Sequence, residues 1–433
     1  MPSLRLAVLI PVIAVLGLAV QPGNVAHGAS GAVVAVTSGS SANHTCAVTA
    51  DHRLLCWGEN SYGQLGDGTV QNRTSPVEVL ALAGTAGAVA AGHHHTCALT
   101  LAGGVLCWGR NSEGQLGDGS TRQRLAPVAV VGLGSGVVAI GAGFAHTCAL
   151  LATGGVRCWG NNFHGQIGDG TAGNAWNTPR DVVQLAGAAA ISAGDWHNCA
   201  LLTSGGLRCW GENLHGQLGN GQSGVNQQST PVAVALNGRA LGVAAGAVHT
   251  CALVENRSVK CWGRNTYGQL GTGTVGGIEE TPVQVNELTG VVTIAAGGAH
   301  SCATTVPEVA LCWGRNEYGQ IGDGTTNNRP APVAAGGPVA TSITAGEAHT
   351  CASRPGEVVC WGRNDLGQLG LGNTVSPGRT GQAVPELAAS VGGLAELTDT
   401  ASAGGGRLGG FIGLAFASFA ALAVASQMRL RQR

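Results

Sequence analysis

Fourteen cysteines divide into seven pairs, and the pairs recur along the chain at an almost constant interval. The first members are Cys46, Cys97, Cys148, Cys199, Cys251, Cys302 and Cys351, separated by 51, 51, 51, 52, 51 and 49 residues. The second members are Cys56, Cys107, Cys158, Cys209, Cys261, Cys312 and Cys360. Around each pair the wording barely changes: His two positions before the first Cys, Trp-Gly after the second, then Asn, then Gly-Gln-Leu/Ile-Gly. A fixed period of this length demands one supersecondary unit per repeat, with each unit burying a face against its neighbours.

The unit is β. "HTCAL" places His, Cys and Leu on one face and Thr and Ala on the other, and "GVLCWG" reads as a second short strand. "VVAIGAG" (Val137–Gly143) precedes the next such pair, and "APVAVV" (Ala126–Val131) follows the Gly-rich turn. Four short strands per repeat, seven repeats and no helical period predict an all-β, seven-bladed propeller of four-stranded blades, one ~51-residue repeat per blade. The repeats occupy residues 30–388. The last one lacks the usual Pro-Val-x-Val, carrying "SPGRTG" instead, so Ala32–Val36 is expected to help complete the final blade and close the ring.

Opposing Cys97 to Cys107 also opposes Ala98 to Leu106, Leu99 to Val105 and Thr100 to Gly104, around a three-residue loop. The last repeat has lost one loop residue, yet Cys351 still opposes Cys360, with Arg354 opposite Glu357. Opposed positions of an antiparallel pair lie within disulfide range. Seven intra-blade bridges follow if the compartment is oxidising, each worth about 2–3 kcal/mol in the chain-entropy model. The rival is zinc on His95, Cys97 and Cys107, which supplies three ligands where a structural site takes four. Unpaired buried thiols are a further alternative.

The stretch "GHHHTCALTLAGGVLCWGRNSEGQLGDGS" resembles the regulator of chromosome condensation repeat, and the resemblance extends over all seven units. It implies a seven-bladed β-propeller. Members of that family include a nuclear exchange factor for a small GTPase, a plant ultraviolet-B photoreceptor and secreted bacterial inhibitors of β-lactamases. The photoreceptor depends on Trp two positions before the repeat His; here those positions are Ala42, His93, Phe144, Asp195, Ala247, Gly298 and Glu347. That function is not expected. In the secreted inhibitors a Trp directly before the repeat His recurs, which Trp196 resembles.

The two ends speak to location. Residues 1–29 read as a signal peptide, with Arg5, an apolar run Leu6–Val20 and small residues at Ala26 and Ala29. A Gly/Ala-rich linker, 389–408, leads to 409–428, read as a transmembrane anchor or sorting helix, since Gly409–Ser426 carries no charge. Arg429, Arg431 and Arg433 in the tail 429–433 assign that end to the cytoplasm and the repeats to the outside. A net charge of −1 gives no field for nucleic acid. No small GTPase is expected outside the cytosol.

Most recurring residues read as frame: the seven Trp as inter-blade packing, the seven His as donors or acceptors to nearby backbone, the seven Gln as backbone caps. Asp67, Asp118, Asp169 and Asp323 in "GDG" suggest turns, because Asn220, Thr272 and Leu371 stand there in other repeats and no carboxylate cluster forms a calcium site. No cofactor or catalytic constellation is expected. What the repeat leaves unexplained is Trp176, in the lengthened loop "GTAGNAWNTPRD", and Asp195–Trp196 in "GDWHNC". These are the candidate binding residues. The chain is thus expected to be a monomeric, exported and tethered ring that binds an extracellular protein or polymer. An inhibitor of an extracellular enzyme, or an enzyme with its site in the ring mouth, are the alternatives.

Overall fold

The computed structural model describes residues 33–388, apart from 225–226, 337–339, 355 and 377–379. The expected signal peptide, linker, apolar segment and basic tail lie outside the described residues. Among the described residues no helix is long and apolar enough to cross a membrane.

Seven four-stranded antiparallel sheets form the ring, each built from four strands consecutive in sequence. In the first blade these are Val33–Thr37, His44–Thr49, Leu54–Gly58 and Arg73–Glu78, running from the channel outward. The fold is a seven-bladed β-propeller. The outermost strands of the first six blades carry a proline near a break in register, as at Pro76, Pro127 and Pro179. Proline there blunts an edge that would otherwise offer unpaired backbone groups.

The register within each hairpin follows the cysteines. Cys97 faces Cys107, Ala98 faces Leu106 and Leu99 faces Val105; in the last blade Cys351 faces Cys360 and Arg354 faces Glu357. All fourteen cysteines are joined in these seven pairs, with Cα atoms 4.1 Å apart. Thiols held in disulfides are not zinc ligands, so the pairing displaces the zinc reading.

Blades adhere through one repeated contact. The Gln64 carbonyl of blade 1 accepts from the Trp108 indole N–H (2.9 Å) and from the Thr96 hydroxyl (2.7 Å) of blade 2. The corresponding pair of donors meets Gln115, Gln166, Gln217, Gln269, Gln320 and Gln368 around the ring, with the Asn198 amide replacing the Thr hydroxyl at Gln166 and the Ser301 hydroxyl replacing it at Gln269. The seven indoles are buried. Beneath each lies a glycine of Gly-Gln-Leu/Ile-Gly: Gly117 has φ +67° and a Cβ there would stand 2.7 Å from the Trp159 nitrogen. Both facts demand glycine at that turn.

Ring closure differs from the expectation. Val33–Thr37 pairs inside its own blade, with Thr37 opposite Cys46, and the last blade forms a short outer strand of its own, Gln382–Ala383. No strand is exchanged. The seam is sealed by the contact used everywhere else, Trp57 and Thr45 on the Gln368 carbonyl, supplemented by the Ser38 N–H on Thr344 Oγ1 at 2.9 Å. Because every repeat already binds its successor, the seventh needs only the first.

Candidate partner-binding face

The antiparallel order places two loops of every blade, the one after the first strand and the one after the third, at the same end of the ring. The second of these is built by its Asn and Gln. Asn111 Oδ1 accepts from the Leu116 N–H and its amide donates to the Ser120 and Arg122 carbonyls, while Gln115 Oε1 caps the Glu113 N–H at 2.9 Å. With the polar frame turned inward, the variable positions present the surface.

The loops of blades 1–4 bring aromatic rings into one row. Tyr62 lies 4.7 Å from His94, His94 lies 3.6 Å from His93, His93 stacks on Phe144 at 4.2 Å, and Phe144 stacks on Trp196 at 4.8 Å. His164 meets Trp196 edge-on at 5.5 Å. All six are partly exposed. His93 and His94 are uncharged at neutral pH: burial, then the Arg110 charge, lowers His93 to about 4, and burial, His93 and Arg110 lower His94 to about 3. Burial raises the Glu59 carboxyl, which stands 3.5 Å from His94 Nδ1.

Blades 5–7 differ. Their first loops carry Ala247, Val248, Gly298, Ala299, Glu347 and Ala348, and Arg264, Arg315 and Arg363 follow Trp-Gly. Arg315 lies 5.2 Å from the Tyr267 ring and pairs with Glu317; Arg363 lies 5.3 Å from Tyr318 and pairs with Asp365 and Glu347.

Of the three residues singled out by the sequence, Trp196 ends the aromatic row. Asp195, beside it, is buried rather than open, and accepts from Ser40 Oγ at 2.7 Å and from Ser41 Oγ. Both hydroxyls come from blade 1, whose first loop is longer than the others, so Ser40–Ser41 straps the ring from blade 1 to blade 4. Burial raises the Asp195 carboxyl while the two hydroxyls oppose the shift. Trp176 stands elsewhere, on the outer strand Asn174–Asp181, opposite Gly160. It packs against the blade-3 core, with the Arg180 guanidinium 4.4 Å over its ring. No ring contact joins it to the row among the described residues.

The sequence missed His93, His94, Tyr62 and His164 as surface residues, and noticed Phe144 only as a departure from a photoreceptor. The available signal was an aromatic or His before the repeat His in three successive blades.

The repeat histidines form a buried belt. His44 Nε2 meets Thr96 Oγ1 of the next blade at 2.8 Å, and the pattern continues round to His349 and Thr45. This corrects the expected backbone partners, which the strand ladders already occupy. Since each hydroxyl spends its proton on a Gln carbonyl, and the Asn198 Oδ1 facing His146 can only accept, the ring donates from Nε2. Burial is the dominant cause that lowers all seven to about 3–4.

The central channel encloses a cavity of about 310 Å³, lined by the innermost strands, Val89, Ile140 and Ile191 among them, and by Ser40 of the strap. Among the described residues its lining holds no carboxylate, His or Cys.

Comparison with known proteins places these features in a family. The family model "RCC1-like domain" matches residues 129–407, and models of the "Regulator of chromosome condensation (RCC1) repeat" match 51–99, 102–150, 33–64 and 88–115. The ultraviolet-B receptor UVR8 of Arabidopsis thaliana is 31% identical over 308 residues, 69% of this chain and 69% of that protein. The human E3 ubiquitin-protein ligase HERC2 is 34% identical over 286 residues, but these are 6% of its length. Among solved structures, Prp20p from Saccharomyces cerevisiae superposes with a TM-score of 0.67 at 22% identity, covering 76% of this chain and 85% of that one; its description concerns binding to Gsp1p and histones. Human WBSCR16 gives 0.68 at 22% identity, covering 77% and 93%. At that identity the likeness is one of fold.

Proposed function

The chain belongs to the regulator of chromosome condensation family of propellers, and from that premise we propose that it is an exported ring that binds an extracellular protein through its aromatic row. Proteins of this fold are used as rigid rings with variable loops, and protein binding is the use named for Prp20p. The carrying observation is the row itself. Tyr62 and His164 lie on loops capped by buried Gln64 and Gln166, and His93, Phe144 and Trp196 lie on three-residue loops pinned by backbone bonds such as Phe144 N–H to the Asp195 carbonyl, so the rings are ordered before a partner arrives, which lowers the entropic cost of binding. Trp, Tyr and Phe clustered with an Arg, here Arg110 at 5.5 Å from the Tyr62 ring, are the composition of an interface centre. Asp195 contributes by holding the strap under Trp196. Seven disulfides support an oxidising compartment; the tether through 409–428 belongs to the same reading.

A narrower reading, inhibition of an extracellular enzyme, is favoured by one feature, the Trp at 196 directly before His197. A partner captured from the producing organism's own envelope decides between them. With that partner, Trp196→Ala and Phe144→Ala are each expected to weaken binding by about 1–4 kcal/mol with an unchanged melting temperature. Trp176→Ala tests the sequence-based candidate beside them. Unchanged affinity in the Trp196 and Phe144 variants would move the site off the row.

A further inference from the structure

The opposite end of the ring carries the hairpin tips between second and third strands and the connections from blade to blade. In blades 2–4 and the connections flanking them, these loops are 79–85, 100–104, 130–136, 151–155, 182–187 and 202–206, and none contains a charged residue. Elsewhere on the same end charges return at once: Asp51, His52 and Arg53 on one side, Arg239, Glu255 and Arg257 on the other. Single exposed aliphatic side chains are ordinary, whereas a contiguous apolar area calls for an occupant. Here Leu80 is 77% exposed, Leu101 58% and Val131 49%, with Val138 at 43% and Val183 at 37%.

We propose that these uncharged loops of the hairpin face, bordered by the exposed Arg157–Asp181 pair, lie against a lipid bilayer, dipping their aliphatic side chains into the interface. Two observations choose lipid over protein. A protein interface has a polar rim and hydrogen-bonding side chains, which these six loops lack apart from Ser, Thr and a single Gln; insertion beneath headgroups needs only apolar side chains and the absence of charge. Second, the described chain leaves the ring at this end. Val384 bonds to Val358 at the start of its strand, and Leu387 packs with Val33 in the seam. The uncharged run then begins at Gly409. The inference rests on reading that run as an anchor, and it gives the ring an orientation: hairpin face toward the membrane, aromatic row outward. Because no cation takes part, contact is with the acyl–headgroup boundary and is insensitive to salt.

The test uses the full-length chain mixed with zwitterionic phosphatidylcholine vesicles. A photoreactive diazirine residue replaces Leu101 in one variant and Phe163, exposed on the opposite face, in another. Lipid adducts at 101 are expected to exceed those at 163 by about tenfold, equally in low and high salt. If the chain binds vesicles while 101 gives no excess, or if 101 captures protein, the face assignment is overturned and the anchor survives. If the chain fails to bind vesicles at all, both fall. Leu80→Asp with Val131→Asp, checked for an unchanged melting temperature, is expected to reduce the adducts at 101; undiminished adducts would also overturn the assignment.

Discussion

Blades 2–4 and blades 5–7 share one skeleton and differ in most of what they show to solvent, although Arg110 of blade 2 lies 5.5 Å from the Tyr62 ring much as Arg315 and Arg363 lie over theirs. Trp108 and Trp313 sit on Gln64 and Gln269 in the same way, and His95 and His300 reach the next blade at the same 2.9 Å. Yet blades 2–4 present stacked neutral rings at one end and uncharged loops at the other. Blades 5–7 present Arg paired with Tyr and carboxylates at one end and mixed charges at the other. Within one architecture, then, packing is uniform and recognition is local. An Arg–carboxylate surface in water contributes little to affinity, because solvent and salt already satisfy it. A preassembled apolar row gains from every ring that leaves water.

The largest effect should fall on both halves at once. Seven buried His rings have folded pKa values of about 3–4 against about 6.5 when unfolded. The folded ring therefore binds fewer protons, so its stability is complete above about pH 6.5 and is lost as pH falls through the folded values. Each unit of depression is worth about 1.4 kcal/mol. Thermal melts from pH 7 to pH 4.5 should show a steep decline, and a flat profile would mean that the belt is not neutral as described.

Removing one inter-blade indole tests whether the halves are equal as frame. Trp108→Ala and Trp313→Ala should each cost about 3–5 kcal/mol in denaturant unfolding, through cavity and lost burial. Equal losses sharpen the comparison. A much smaller loss in one half would show that the skeleton is not uniform after all.

The strap offers the smallest and most selective perturbation. Ser40→Ala with Ser41→Ala leaves Asp195 buried without its donors, at a cost of about 1–3 kcal/mol. Since protonation relieves an unpaired carboxylate, the loss relative to the parent protein should shrink as pH falls. Partner binding at Trp196 should weaken while lipid adducts at Leu101 remain. If both change together, the two ends of blades 2–4 are coupled through the fold and are not separate surfaces.

Much of this was legible in the residues. The disulfide register could be read from Cys97 and Cys107 because opposition in a hairpin is a matter of counting, and the shorter last repeat made the count its own control. The aromatic row was not legible as a row. His93, Phe144 and Trp196 are each about one repeat apart, and only the rotation from blade to blade stacks them. Trp196 and Trp176 looked equivalent as unexplained aromatics; Trp176 instead fills the margin of its own blade under Arg180.

By itself the sequence determined the blade: its period, its four strands and its paired cysteines, consequences of local alternation and of contacts within one repeat, and the burial of its Trp, which recurs at the junction of each repeat with the one before it. Only the tertiary structure decided how the ring closes, where Ser40 and Ser41 find Asp195, and which side chains share a surface. Those contacts join residues many repeats apart. Nothing in a local pattern encodes them, because they arise from the angle at which identical units stack and from the fact that seven of them complete a circle.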